Sequence, residues 1–230
     1  MDSEQRNDRK IIDSWRANAA PWTAAVRLGQ IESRQLITDR AIIEAVLERA
    51  PRSVLDLGCG EGWLARALAA HAIRVLGLDG VAALIEQAQR SGGGEFRLAS
   101  YEQIAAGEIA VRSDVVVCNF SLLGKTSVEG LMRAMPSLLQ ARGTLIIQTL
   151  HPLIACGDAA YQDGWREGSW LGFDAAFVDP APWYFRTLQG WIKLLSDHGL
   201  RLLELREPVH PTLKRPASVI FIAAPAAAGS

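Results

Sequence analysis

The residues of this chain with the clearest chemical potential lie in one run, Val54-Leu55-Asp56-Leu57-Gly58-Cys59-Gly60-Glu61-Gly62-Trp63. A carboxylate stands just before glycines at alternate positions, with a β-rich stretch leading in and a helical one leading out. Glycine at such a turn lets the chain bend tightly and lets a ligand approach the main chain with no Cβ in the way. The helix beyond offers N–H groups that have no partner within the helix. Two ligand classes compete for such a loop. A dinucleotide asks for G-x-G-x-x-G, with its pyrophosphate over the helix start. Here the pattern is G-x-G-x-G, and Trp63 fills the slot of the third dinucleotide glycine, where its bulk obstructs close helix–strand packing. Asp56 also repels a phosphate, but it can hold an ammonium group directly or through water. Asp79, followed by Gly80, ends the next β-rich run and is placed to accept both hydroxyls of a ribose. Ribose plus an amino-acid ammonium, with no phosphate required, is the ligand these two acids describe.

Further along, His151 directly follows the apolar run 144–150, and the C-terminal ends of parallel strands are where ligands bind. It reads either as a general base or as a residue that caps the strand end before Pro152. His210 sits in a proline-rich link and is a weaker base candidate; His71 and His198 flank helix ends as solvated caps. Tyr161, Trp165, Arg166 and Trp170 share an irregular loop. They describe either an apolar acceptor pocket with one anion-binding group or a small satellite core under the loop. Asp158 and Asp163 lack the dense carboxylate neighbours of a metal site, so no metal is expected.

These residues need a scaffold, and the pattern supplies one. Strands are expected at 53–57, 73–78, 96–99, 114–118 and 144–150, with helices at 62–70, 81–90 and 128–140 between them. That alternation implies a Rossmann-like α/β domain with a mostly parallel, doubly wound sheet and right-handed crossovers. Residues 187–198 read as a helix closed by Gly199. Strands at 200–205 and 219–223 are joined through Pro208, Pro211 and Pro216, a link too short for a crossover helix, so they must form an antiparallel terminal hairpin. The sheet then has about seven strands. The segment 151–186, rich in Gly, Asp, Trp and Pro, breaks the rhythm and reads as a substrate-side insertion, since a loop region that long inside a compact domain is usually functional. Residues 38–49 form an amphipathic helix that opens the main domain, 38–230. Before it, residues 1–37 form a helical extension interrupted by Pro21. Its Trp15, Trp22, Val26 and Leu28 are too apolar for a solvated tail, so it is expected to close over the strand ends as a lid.

The chain of 230 residues has 24 basic and 25 acidic side chains and a net charge of -1. No basic excess is available to neutralise phosphates, which argues against a nucleic-acid partner. No apolar run approaches a membrane span and the N-terminus lacks a secretory signal. Cys59, Cys118 and Cys156 show no C-x-x-C spacing, so neither a disulfide framework nor a zinc site is expected. A cytoplasmic location is the natural expectation.

From Ala41 to Ala224 the chain resembles the class I S-adenosylmethionine-dependent methyltransferase family. Asp56, Gly58, Gly60 and Gly62 match its acidic residue and G-x-G-x-G motif, and Asp79 matches its ribose-binding acid. The run Asp114-Val115-Val116-Val117-Cys118-Asn119-Phe120 is similar to its fourth-strand motif, which ends beside the methionine part of the cofactor. The resemblance implies S-adenosylmethionine as cofactor, S-adenosylhomocysteine as product, and cofactor contacts from Asp56, Gly58, Cys59, Gly60, Gly62, Asp79, Gly80, Asn119 and Phe120. The acidic residue that the family often places near the adenine amine is missing, and Ser100 or Tyr101 stands in that stretch. An upstream arginine that meets the cofactor carboxylate in related proteins points to Arg34, whose other reading is a surface residue. The expected reaction is methyl transfer to a small, partly apolar acceptor. The alternatives are a non-catalytic cofactor-binding regulatory or scaffold protein and, less well matched, an NAD-type oxidoreductase.

Overall fold

Nine strands and nine α-helices are present among residues 2–226, which are those described by the computed structural model. The N-terminal helices are α1 (Ser3–Ala17) and α2 (Ala19–Arg27); a π-helical turn, Arg34–Thr38, runs directly into α3 (Asp39–Leu47). The alternating part contains β1 (Ser53–Leu57), α4 (Trp63–Ala69), β2 (Arg74–Asp79), α5 (Ala82–Ser91), β3 (Glu95–Leu98) and α6 (Tyr101–Ala105). It continues through β4 (Ser113–Asn119), α7 (Thr126–Leu138) and β5 (Leu139–Leu150). Then come α8 (Pro152–Ala155), β6 (Gly164–Arg166), β7 (Trp183–Phe185), α9 (Leu188–Asp197), β8 (Leu200–Arg206) and β9 (Ser218–Pro225).

Seven strands form one sheet in the order β3-β2-β1-β4-β5-β9-β8. The first five are parallel, and β9 pairs antiparallel with both β5 and β8. The expected terminal hairpin is therefore present. Strand order reverses between β1 and β4, so the crevice at their C-terminal ends is the place where such sheets bind ligands. The central strand β4 is buried on both faces, which suits its β-branched run. Val116 and Cys118 pack toward Leu131, Met132 and Met135 of α7. Val115 and Val117 pack toward Ile42, Ala45 and Val46 of α3.

Several expectations are corrected. The third helix of the alternation ends at Leu138, not 140, and β5 starts at once: Leu139 is extended and pairs with Ser113 beside a register shift. Leu139 thereby buries its side chain in the sheet, a gain that periodicity alone does not reveal. The five-residue helix α6 follows β3 without having been foreseen. Its N-cap is Ser100, in a reciprocal capping box with Gln103. The extension breaks at Asn18, not at Pro21. Pro21 lies in the first turn of α2, where its missing N–H has no intrahelical acceptor to lose. Asn18 is fully buried; its Nδ2 donates to Ser14 O and Val178 O at 2.8 Å, and its Oδ1 accepts from Val178 N at 2.9 Å. The segment 151–186, expected to be irregular, contains α8 and a two-stranded hairpin, β6 with β7.

The extension and this hairpin segment lock together above the sheet. The Asp8 carboxylate of α1 accepts from Lys125 N and Ser127 N, each at 2.8 Å, and from the Thr126 hydroxyl. It thus caps α7 from another helix, occupying the site where a helix start favours negative charge. Ser14 Oγ donates to Asp179 O at 2.7 Å, and Trp165 Nε1 donates to Glu4 Oε2 at 2.5 Å. Trp15, Trp22, Trp170 and Phe173 form a chain of ring contacts between the two segments. Among the described residues no helix is long and apolar enough to cross a membrane.

Candidate functional site

The loop between β1 and α4 lies at the reversal point of the sheet, and its three glycines all have positive φ. They are not equivalent. A Cβ on Gly58 would run into Ser121 and stand 2.9 Å from Tyr101 Oη. On Gly62 it would meet Phe96 Cζ at 2.8 Å. On Gly60 the only atom within 4 Å among the described residues would be Trp22 Nε1, at 3.7 Å. Gly58 and Gly62 therefore seat the loop against β4 and β3, while Gly60 keeps open space beside its backbone. Gly80 is similarly open, with Ile12 Cδ1 at 3.6 Å. Both open positions face the N-terminal helices, so α1 and α2 form the roof of the loop.

Two carboxylates flank that space. Asp56 is 2% exposed, and no hydrogen-bond donor reaches its side chain among the described residues. Burial, with a smaller contribution from the charge of Asp79, pushes its pKa up to about 7. Burial also raises Asp79, to about 6, although the N–H groups of Gly60, Val81 and Gly80 pull it back. Asp79 Oδ2 accepts from Gly60 N and Oδ1 from Val81 N, both at 2.9 Å. This carboxylate therefore ties the glycine loop to the end of β2, a role that its ribose assignment did not include; each oxygen keeps a second lone pair for a ligand hydroxyl. Cys59 is buried beneath the loop, and burial raises its thiol well above the usual range.

The far wall is the end of β4. Phe120 has φ 53°, a left-handed conformation that is strained for a bulky residue and is typical of functional turns. That turn lets Phe120 N donate to Gln148 O at 2.8 Å and Ser121 Oγ donate to Leu57 O at 2.7 Å, joining the ends of β1, β4 and β5. Tyr101 Oη donates to Ser121 O at 3.2 Å, which places the phenol between the ends of β3 and β4. Ser100 has its hydroxyl engaged as the α6 cap. Asn119 and Gln148 are register partners at these strand ends, and Asn119 Oδ1 and Gln148 Oε1 are both buried without a partner. Thr38 Oγ1, at the start of α3, is a third such atom. Unsatisfied buried polar atoms are rare and mark places where a ligand or water completes the bonding.

Other expected residues lie apart from this wall. His151 is 2% exposed. Its Nδ1 accepts from Leu153 N at 3.3 Å as the N-cap of α8, and its Nε2 lies 2.7 Å from Glu207 Oε1. Both ring nitrogens are thus hydrogen-bonded within the protein. Arg34 bonds Asp39 Oδ1 at 2.9 Å and lies 4.5 Å over the Trp63 ring, and its side chain is 11% exposed. The loop residues divide. Trp165 packs edge-on against Tyr184. Tyr161 and Arg166 pack on Phe185, and Arg166 bonds the carbonyls of Ala160 and Gln162. Trp170 belongs to the roof, where its Nε1 donates to Val178 O at 2.8 Å. Asp158 and Asp163 form no metal cluster; none is found among the described residues. Residues missed in the sequence include Ser121 and the fully buried Glu61, clamped by Arg27 at 3.0 Å and Arg66 at 2.6 Å. Gln148 did leave a signal, being the one amide inside an otherwise apolar strand run.

The arrangement fits S-adenosylmethionine on two structural grounds: the open cradle at Gly60 and a buried carboxylate with no partner beside it. A family described as "Methyltransferase domain" matches residues 31–205. A ubiquinone biosynthesis O-methyltransferase of Xanthomonas axonopodis pv. citri is 34% identical over 114 residues, and the match spans 47% of each chain. The chain thus aligns with about half the length of that relative. An S-adenosylmethionine-dependent methyltransferase of Mesorhizobium loti shares the fold at 20% identity and a TM-score of 0.59, over 78% of this chain and 95% of its own. DhpI in complex with SAH aligns at 18% identity and a TM-score of 0.65, over 96% of this chain and 97% of its own.

Proposed function

The chain belongs to the class I S-adenosylmethionine-dependent methyltransferase family, and from that premise we propose that it transfers a methyl group to a small, partly apolar acceptor. The single observation that carries the reading is the buried, unpartnered carboxylate of Asp56 beside the open face of Gly60. A cation brought there compensates a charge that the fold leaves exposed to a low-dielectric surrounding. Asp79, with its spare lone pairs, is assigned to the ribose hydroxyls. Tyr101 is assigned to the adenine side, and Asn119 with Phe120 to the methionine side. Cys59 and Ser100 line the site through their backbones, their side chains being buried or engaged in a cap. Arg34 is assigned a positioning role beneath Trp63, the first residue of α4.

When bound, S-adenosylmethionine supplies a methyl group activated on a sulfonium centre. The chain's own contribution is placement and exclusion of water. The roof of Trp15, Trp22 and Trp170 covers the loop, and Phe120 and Ser121 fix the opposite wall. With both nitrogens of His151 committed, placement is the main catalytic term. The name of the Xanthomonas relative favours oxygen as the methylated atom. The neutral charge and the aromatic roof favour a small acceptor over nucleic acid.

Calorimetry with S-adenosylhomocysteine and with NAD, followed by turnover on a panel of small phenols, amines and acids, tests the proposal. Binding of the first ligand only, with turnover on at least one acceptor, is the expected result. Preference for NAD would refute the cofactor assignment. Tight binding of S-adenosylhomocysteine without turnover on any acceptor would favour the scaffold alternative.

A further inference from the structure

Arg186, just before α9, is 4% exposed. Its Nη1 donates to Gly124 O at 2.9 Å, while Nη2 is buried with no partner. The guanidinium lies 4.7 Å from the centroid of the Tyr184 ring and 5.2 Å from that of Trp191. Among the described residues no carboxylate pairs with it. Glu129, Asp163 and Asp8 act on it only through space. Asp8 is spent on capping α7, and Asp163 accepts from Thr187 N and Oγ1 at 2.7 and 2.8 Å. A second cation, Lys125, stands 5.5 Å from the same Tyr184 ring, paired at 3.3 Å with Glu4. A buried guanidinium with an idle donor and no directly paired carboxylate is costly, and a ligand oxyanion removes that cost. Burial accordingly lowers the Arg186 pKa from its usual value.

The location ties this cation to the proposed reaction. Gly124 is three residues beyond Ser121, whose hydroxyl bonds the end of β1. At 3.8 Å per trans peptide their Cα atoms are at most about 11 Å apart, the length of a small molecule. Trp165 and Tyr184 pair on the same side of the β6–β7 hairpin, offering aromatic surface beside the charge.

We propose that Arg186, with Tyr184 and Lys125 beside it, forms the subsite that holds an anionic group, a carboxylate or a phosphonate, on the methyl acceptor. This rests on the methyltransferase reading and narrows its substrate class to acids with an apolar body. Arg166, the arginine singled out in the sequence, also keeps a buried Nε without a partner, but its Nη2 is held by two loop carbonyls and the residue is only half-buried, whereas Arg186 is 4% exposed.

The test uses the full chain saturated with S-adenosylhomocysteine, titrated by calorimetry with phenylacetate, phenylphosphonate and the neutral isostere phenylacetamide. One or both anions should bind at least tenfold tighter than the amide, and which of them leads identifies the oxyanion. Arg186→Gln should bring that ratio close to one while leaving S-adenosylhomocysteine affinity within twofold. Lys125→Gln, at a half-exposed position, should lower the ratio about threefold and decides the matter if Arg186→Gln does not fold. Equal binding of anions and amide by the wild type overturns the proposal, as does an undiminished ratio in either folded variant. Failure of the wild type to bind S-adenosylhomocysteine would instead refute the methyltransferase reading.

Discussion

Cofactor binding should expel a proton from this protein near pH 6. The perturbation is the arrival of an ammonium group beside Asp56, whose pKa in the free protein is about 7, with Asp79 at about 6. At pH 6 a group of pKa 7 is roughly nine-tenths protonated. A contacting cation draws a carboxylate pKa down by about 1–3 units, which leaves Asp56 about half ionised at pH 6 at the small end of that range and fully ionised at the large end. About 0.4 to 0.9 protons should therefore leave per S-adenosylhomocysteine bound at pH 6 and only about 0.1 at pH 8, with affinity rising roughly five- to tenfold between them. Calorimetry in buffers of different ionisation enthalpy reads the number directly, as the slope of observed enthalpy against buffer enthalpy. Asp56→Asn should bind with a slope near zero at both pH values. A slope of zero in the wild type at pH 6 would refute the reasoning, since Asp56 would then be ionised already or remote from the ligand. The same shifts act on the free protein. Both pKa values are raised on folding, so the stability they contribute is complete below the ordinary carboxylate range and is lost as pH rises through about 6 to 7. For Asp56 this loss is at most about 4 kcal/mol, which a series of thermal melts from pH 4 to 8 should show as a falling Tm that saturating S-adenosylhomocysteine counteracts most at pH 8.

Three further outcomes are expected. Gly58→Ala should destabilise the fold because its Cβ runs into Ser121, whereas Gly60→Ala should fold at a cost of about 1–2 kcal/mol for its left-handed backbone and lose cofactor affinity; calorimetry and thermal melts on both separate packing from binding, and equal loss of stability would show that Gly60 is a packing glycine too. His151→Ala should lower stability by about 1 kcal/mol through the lost α8 cap and reduce turnover less than tenfold, and a rate loss of about 10²–10⁴ would restore histidine as the base. Asp8→Ala removes the cap on α7 from α1, so trypsin should cut at Arg16 and Arg27 faster than in the wild type, while saturating S-adenosylhomocysteine slows both; cutting rates indifferent to ligand and variant would make the extension a fixed part of the fold and not a lid.

Much of this architecture was legible in the chain because the signals are local. A β-branched run, a glycine turn and an amphipathic stretch each announce themselves within a dozen residues, so the alternation, the terminal hairpin and the loop holding Asp56 and Gly60 could be located directly. Trp63 in the slot of a dinucleotide glycine and the acid ahead of the turn were contiguous clues to ligand chemistry, and the family match agrees with them. What the tertiary structure decided depends on partners distant in sequence. His151 meets Glu207, 56 residues away, and Asp8 meets Ser127, 119 residues away. Which glycine stays open was settled by Ser121, Phe96 and Trp22, none of them in the glycine run. Arg186 left no signal at all, since an arginine before a helix is ordinarily solvated, and only packing against Tyr184, Trp191 and Gly124 buries it. Backbone conformation follows from steric preferences between neighbours and so can be read along the chain. A side chain's protonation, idle donors and counter-charges depend on which distant groups the completed fold brings within hydrogen-bonding reach and which it shields from water.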